Sequence, residues 1–473
     1  MSETVAAAAL WPRPWAGPPQ AGGTVLVEAG RVTALEGAAP SGDLLLVPGL
    51  VNAHDHGRGL APLAVGAPDG PLEAWLWDLW RTPATDPYLT ALVAFGRMAL
   101  SGVTTVVHNH LPQGPGMVAE AQAVARAARE VGLRLAFVAP VLDRNLAGYD
   151  GGAAVAAALA ATDWQEIRAA QAQPPVEEQI AAVREVARAI DGPGIVTQFG
   201  PPGPQWLSEA GWQAVGEAAA EGWRSHVHLL ETRLQRDWLD AECPEGAAAF
   251  FARAGLLNDR LTIAHGVFLR AGEIAAFAEA GATLALNTSS NLRLASGVAD
   301  GAALAASGLR LGVGLDGMAL DDDSDMLREV RLTAMLLGPR RFDTPGLSRE
   351  AVLRAAFSGG RVAFDGAAAP GLVAGAEADM VGLSLSALAG DRADDAPETL
   401  AALALGRWRR EAVREVRVAG RRIVAEGRLT GVDLPAAEAA LAAQARAARA
   451  EAPPPRWIAE ARAARVRAAS GGG

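Results

Sequence analysis

VTTVVHNH, residues 103–110, is a short apolar run that stops on two histidines. Side chains at i and i+2 of a strand leave the same face, so His108 and His110 would project together from the strand end. The same pairing ends two other runs, in AHDHG (His54, His56) and in SHVHLLE (His226, His228), and a seventh histidine, His265, closes LTIAHG. All seven histidines of the chain therefore sit at the ends of β-like runs, and none sits on a charged helical face. Chance does not distribute seven residues that way.

Seven more apolar runs share the texture of 103–110: LLLVPGLVNAH (44–54), LRLAFVAPV (133–141), GIVTQFGPP (194–202), RSHVHLLE (224–231), LTIAHG (261–266), ATLALNTSS (282–290) and LRLGVGLDG (309–317). Between them lie Ala-rich stretches of helical period, such as MVAEAQAVARAAREVG (117–132), PVEEQIAAVREVARAI (175–190) and AGEIAAFAEAG (271–281). Strands alternating with helices predict an α/β protein, a parallel (β/α)8 TIM-like barrel. Such barrels carry function at the C-terminal ends of the strands. HDH, HNH, PQW, HLLE, AHG, NTSSN and LDG all fall there. An open doubly wound sheet is the competing arrangement, but no glycine-rich phosphate turn follows the first strand. GGTVLVEAGRVTALEG (22–37) and VREVRVAGRRIVAEGRLTGVD (413–433) alternate apolar and polar residues around Gly and read as small β segments at either end.

Composition narrows the function. The chain has 473 residues, half of them hydrophobic, with a net charge of −11. That balance argues against a nucleic-acid surface. Cys243 is the only cysteine, so no intrachain disulfide forms and a reducing, cytoplasmic setting is expected. No apolar run is long enough to cross a bilayer, and VAAAALWPRPW lacks the basic start of a signal peptide. Every basic residue is Arg. Without Lys, the chain cannot use a Schiff base, a P-loop lysine or a carboxylated-lysine bridge between two metals.

His54, His56, His228, His265 and Asp316 lie on four strand ends that a closed barrel would bring to one mouth. Imidazoles and a carboxylate suit Zn and similar divalent ions. A lone HxH is weak evidence, whereas the ordered set HxH, HxxE, AHG, LDG is strong. Glu231, three residues after His228, is placed to shuttle a proton; it would equally serve as a helix N-terminal acid.

VPGLVNAHDH, GVTTVV, HVHLLET, AHGVFL, NTSSNLRLASG, GVGLDG and GAEADMVGL, spread from residue 47 to about 382, resemble the amidohydrolase superfamily in its cytosine-deaminase-like and triazine-hydrolase-like aminohydrolase branch. The resemblance implies that His54, His56, His228 and Asp316 hold one divalent metal, Zn before Fe or Mn. It implies that Glu231 is the proton shuttle, that Asp316 doubles as base, and that His265 orients the water or polarises the developing oxyanion. It implies a composite β-sandwich from residues 1–47 and 366–433 around a barrel at 48–365. Residues 434–473 then form an Ala/Arg-rich helical tail, broken at APPPRW and fraying at SGGG. A homodimer also fits the family.

The expected reaction is attack of metal-activated water on an amidine-type carbon of an N-heterocycle, with loss of ammonia. The same residues would serve hydrolysis of a ring C–N, C–S or C–halogen bond. A non-catalytic barrel used as an assembly module would be marked by a lost ligand or acid, and all are present. For the substrate, the expected contacts are His110, Gln205, Trp206, Arg233 and Asn291, with Gln235, Asn287 and Ser290 nearby. His108 and His226, one strand period deeper, are expected to fill the barrel interior. DGPLEAWLWDLWRTP (69–83) reads as a lid-like loop whose Trp75, Trp77 and Trp80 either wall a flat ring or pack on the barrel. Four aspartates after Asp316 read as helix-capping acids in preference to a second cation site.

Overall fold

The computed structural model describes residues 2–113, 116–144, 149, 152–339 and 343–470. Four strands come first: β1 (Ser2–Leu10), β2 (Gln20–Glu28), β3 (Arg31–Glu36) and β4 (Leu44–Pro48). The eight runs read from the sequence follow as β5 (Leu50–Asp55), β6 (Val103–Asn109), β7 (Arg134–Pro140), β8 (Ile195–Gly200), β9 (Ser225–Leu229), β10 (Leu261–His265), β11 (Thr283–Leu286) and β12 (Arg310–Val313). Then come β13 (Met380–Ser384), β14 (Val413–Val418), β15 (Arg421–Ala425) and β16 (Arg428–Leu429).

Strands β5 to β12 close into one parallel barrel, sealed by the pairing of Val313 on β12 with Asn52 on β5. Parallel strands are covered on both faces, which is why these strands are buried along nearly their whole length and do not alternate between core and solvent. The interior is filled by small side chains, Ala53, Val107, Ala136, Val138 and Ala264, against Ala363 and Phe364 from the helix Gly360–Asp365. Gln198 donates to the Ala363 and Phe364 carbonyls and ties that plug to β8.

The terminal segments join in a single continuous mixed sheet, in the order β16-β15-β14-β13-β4-β1-β2-β3. LLLVPGLVNAH serves both sheets: residues 44–48 belong to this one and residues 50–55 to the barrel. Gly49 makes the crossing, because a Cβ there would meet Thr104 Oγ1 at 2.3 Å. β1 pairs along its length with β2, from Ser2 opposite Glu28 to Leu10 opposite Gln20. Its Ala-rich sequence does not announce a strand; buried pairing overrides weak local preference.

The expected lid-like loop is instead a short helix, Leu72–Asp78, running into a 3-10 turn, Leu79–Arg81. Pro71 pre-sets its entry, and Trp75 and Trp77 turn inward. The tail forms two helices, Leu434–Glu451 and Ile458–Ser470, and the second packs on the Leu72–Asp78 helix. Within the SGGG end, residues 471–473 lie outside the described residues. No helix among the described residues is long and apolar enough to cross a membrane.

Candidate active site

β5 delivers His54 and His56 to the barrel mouth. The His56 Nδ1–H donates to the Asn109 carbonyl at 2.9 Å, which leaves a lone pair on Nε2. That Nε2 lies 3.1 Å from His228 Nε2 and 3.2 Å from Asp316 Oδ1, while His54 Nε2 lies 3.0 Å from the same oxygen. One ligand atom from each of His54, His56, His228 and Asp316 falls within 4.8 Å of the others. Three imidazoles and a carboxylate converging on one point make an N3O set that fits a divalent ion.

The protonation states agree. Burial lowers His54 to about 4 and holds His228 well below the usual imidazole range. Burial pushes Asp316 upward, but the neighbouring His54 and His56 side chains outweigh it and keep the carboxyl well below its ordinary value. Neutral imidazoles and an ionised carboxylate are the forms a metal requires. His226, the deeper member of its pair, meets His54 Nδ1 at 2.8 Å and so orients a ligand from behind. Ser290 Oγ donates to the second Asp316 oxygen at 2.5 Å. Asp316 has φ 60° and His265 φ 73°, left-handed conformations that aim both side chains into the mouth. Gly314 admits this geometry: a Cβ there would sit 2.4 Å from Asn287 Oδ1 and 2.9 Å from His54 Cβ.

Glu231 follows Leu230, also left-handed at φ 51°, and precedes Thr232, which caps the helix Arg233–Glu242. Its Oε2 lies 3.6 Å from His265 Nε2, and its Oε1 is buried without a partner. Burial raises it to about 7, where a carboxyl both gives and takes protons at neutral pH. His265 donates its Nδ1 proton to Asn291 Oδ1 at 2.9 Å, so its Nε2 faces the site as an acceptor.

A cavity of about 850 Å³ opens above these groups. His56, His228, Glu231, His265 and Asp316 form its base, and Trp75, Trp77, Trp80 and Trp206 line its walls. Trp77 and Trp80 both meet the edge of Trp457 from the tail, with centroids 6.0 and 5.1 Å apart. These tryptophans line the cavity, and Trp77 and Trp80 pack on the tail and not on the barrel. Gln205 also lines it. The Glu231 N–H donates to Gln235 Oε1 at 3.0 Å, and Gln235 Nε2 donates to Gln205 Oε1 at 2.9 Å. That sequence of bonds fixes both amides and leaves Gln205 Nε2 as a buried donor without a partner.

Three expected substrate contacts are placed elsewhere. His110 is held by Glu120 at 2.8 Å and by His108 at 3.3 Å, and it faces a small side cavity behind His56 instead of the main one. The buried carboxylate from the helix Met117–Val131 claims its ring. Arg233 points to solvent and pairs with Asp237 one helical turn on, at 2.9 Å. Asn291 is buried behind His265 and orients it. Of the acids after Asp316, Asp325 caps the helix Met326–Leu337 and the others pair with Arg293 and Arg328, as capping acids should. Several groups that the sequence reading passed over line the cavity, among them Arg58, only two residues past His56, Arg144, Gln171 and Glu178.

The fold and ligand set together define a metal-dependent hydrolase barrel. The model of the Amidohydrolase family matches residues 45–406, and the chain belongs to that family. It is 32% identical to a 5-methylthioadenosine/S-adenosylhomocysteine deaminase of Moorella thermoacetica, a match spanning 63% of each chain. It is 29% identical to an 8-oxoguanine deaminase of Pseudomonas aeruginosa over 90% of this chain and 94% of that one. A zinc-bound adenosine deaminase structure from Xanthomonas campestris superposes with a TM-score of 0.77 at 26% identity, over 95% of this chain and 98% of that one.

Proposed function

We propose that the chain is a divalent-metal-dependent aminohydrolase that removes an amino group, as ammonia, from a purine-type N-heterocycle. Glu231 carries the reading: it is a buried carboxyl raised to about 7, at the base of the cavity with His228, His265 and Asp316, and among the described residues its Oε1 has no hydrogen-bond partner. The relatives named as deaminases of adenosine derivatives and of 8-oxoguanine support the substrate class. One zinc ion per chain fits four ligands in one cluster and the absence of a bridging lysine. The single buried cysteine fits a cytoplasmic enzyme.

A divalent ion held by His54, His56, His228 and Asp316 supplies the Lewis acid that makes water nucleophilic at neutral pH. The chain's own groups do the rest. Gln205 Nε2 donates to an acceptor on the ring edge and orients it. Asp316 takes one proton from the attacking water as oxygen bonds to the amidine carbon. Glu231 gives its proton to the adjacent ring nitrogen. The C–N bond then breaks, the amine leaves as ammonia with the proton from Asp316, and the hydroxyl proton returns to Glu231 as C=O forms. His265 Nε2, fixed by Asn291, accepts from the water and holds it in line.

The test is ammonia release by zinc-loaded protein from a panel including 8-oxoguanine, guanine and 5-methylthioadenosine. At least one should turn over, and Glu231→Gln should abolish the signal with zinc still bound. Absence of ammonia from every aminopurine at full metal occupancy would contradict the reading.

A further inference from the structure

Glu329, on the helix Met326–Leu337, is only 2% exposed and does not line the cavity. No ion pair among the described residues holds it, and the adjacent Arg328 turns instead to Asp321 and Asp323. Its Oε1 accepts from the Ser289 backbone N–H at 2.9 Å, and its Oε2 accepts from the Ser289 hydroxyl. One turn further along the same helix, Thr333 Oγ1 meets Thr288 Oγ1 at 2.8 Å. Both contacts land on the first two residues of the short helix Thr288–Arg293.

The first N–H groups of a helix need acceptors from outside it, normally the side chain of the residue before. Asn287 holds that position, yet its side chain makes no capping bond. It turns to the site, with Nδ2 3.4 Å from His265 Nε2. Glu329 answers the Ser289 N–H in its place, from another helix. The two residues after Ser289 serve the site directly. Ser290 Oγ donates to Asp316 Oδ2 at 2.5 Å, and Asn291 Oδ1 accepts from His265 Nδ1 at 2.9 Å. Helical rise is only about 1.5 Å per residue, so anchoring Ser289 fixes both. A buried carboxyl without a cation is costly, and burial raises this one to about 7 against the pull of the Ser289 bonds. An apolar contact would tie the two helices at less cost. The carboxyl adds direction, because two bonds to one residue settle how the turn is rotated.

We propose that Glu329 is a positioning residue for the metal centre, acting through Ser289 to hold Ser290 on Asp316 and Asn291 on His265. Its effect on zinc affinity does not depend on the aminohydrolase reading, whereas its effect on kcat rests on it. Partners just outside the ligands typically contribute about 10- to 100-fold in metal affinity or activity. In chelator competition, Glu329→Ala should bind zinc at least about tenfold more weakly than wild type. The visible spectrum of its cobalt-loaded form should also shift, since those bands report the geometry of the ligand set. Glu329→Gln should restore most of the affinity: its amide oxygen still accepts from the Ser289 N–H, and its Nε2 donates to the Ser289 hydroxyl. Ser290→Ala should weaken zinc too. The double variant Glu329→Ala/Ser290→Ala should lose clearly less than the product of the two single losses, as coupled residues do.

A packing role alone predicts a lower Tm in Glu329→Ala with zinc affinity and cobalt spectrum unchanged. That result, or fully multiplicative losses in the double variant, would overturn the proposal. If Glu329→Ala does not fold, Ser289→Ala removes only the hydroxyl bond to Glu329 and should still weaken zinc; wild-type affinity in that variant would overturn the proposal equally. At saturating zinc, kcat of Glu329→Ala should fall while KM holds. Were no aminopurine deaminated while zinc affinity followed Glu329, the reaction would be wrong and the positioning role right.

Discussion

Glu231→Gln should make the metal-free protein more stable and the zinc-loaded protein less active, and the structure gives the size of the first effect. The carboxyl is 5% exposed, and burial lifts it from 4.5 to about 7. Below about pH 4.5 it is protonated in both the folded and the unfolded chain and contributes nothing. Between 4.5 and 7 the unfolded chain releases the proton while the folded chain keeps it, so stability falls as pH rises. Above 7 the penalty is complete, at most about 3 kcal/mol from 1.36 kcal/mol per unit. Glutamine removes the titration. In chelator-treated protein, urea unfolding should find Glu231→Gln more stable than wild type by up to that amount at pH 8, with the gap closing by pH 4.5. Glu329, also buried and raised to about 7, titrates in both proteins and cancels in the difference. With zinc restored, the same variant should lose roughly 10²- to 10⁴-fold in kcat, the usual worth of a positioned proton donor. A stability difference that does not change between pH 5 and pH 8 would refute the argument that desolvation sets this carboxyl's proton affinity.

Other perturbations separate the ligand cluster from its supports. His110→Ala leaves the buried Glu120 without its imidazole partner, so Tm should fall by the equivalent of about 1–3 kcal/mol while zinc content and KM hold; a large change in KM would put His110 back at the substrate. Gly314→Ala drives a Cβ onto Asn287 and His54, and dialysed protein should retain clearly less zinc than wild type by elemental analysis. Trp457→Ala removes the edge on which Trp77 and Trp80 rest, costing about 3–5 kcal/mol in denaturant unfolding and loosening the cavity wall from a site in the tail.

The barrel was legible because seven of the eight strands announce themselves twice, by a largely apolar run and by polar punctuation at the C-terminal end, while β7 shows only the apolar run. The cluster of His54, His56, His228 and Asp316 was legible for the same reason: HDH, HVH and LDG mark strand ends that closure must bring together. What escaped the sequence depended on contacts between distant segments. β1 is an Ala-rich stretch that becomes a strand between β2 and β4. His110 has the spacing of a site residue, but Glu120 on the following helix takes its ring. Arg233 sits beside Glu231 in sequence, yet the helix that starts at Arg233 turns it to solvent.

The most direct test of the account is zinc content measured alongside ammonia release as chelator-stripped protein is reloaded. Activity on an aminopurine should rise in proportion to zinc and stop at one ion per chain, and His228→Ala should neither hold the ion nor release ammonia. Full activity with no metal, or a rise that continues to two ions per chain, would contradict a single-ion site built from His54, His56, His228 and Asp316.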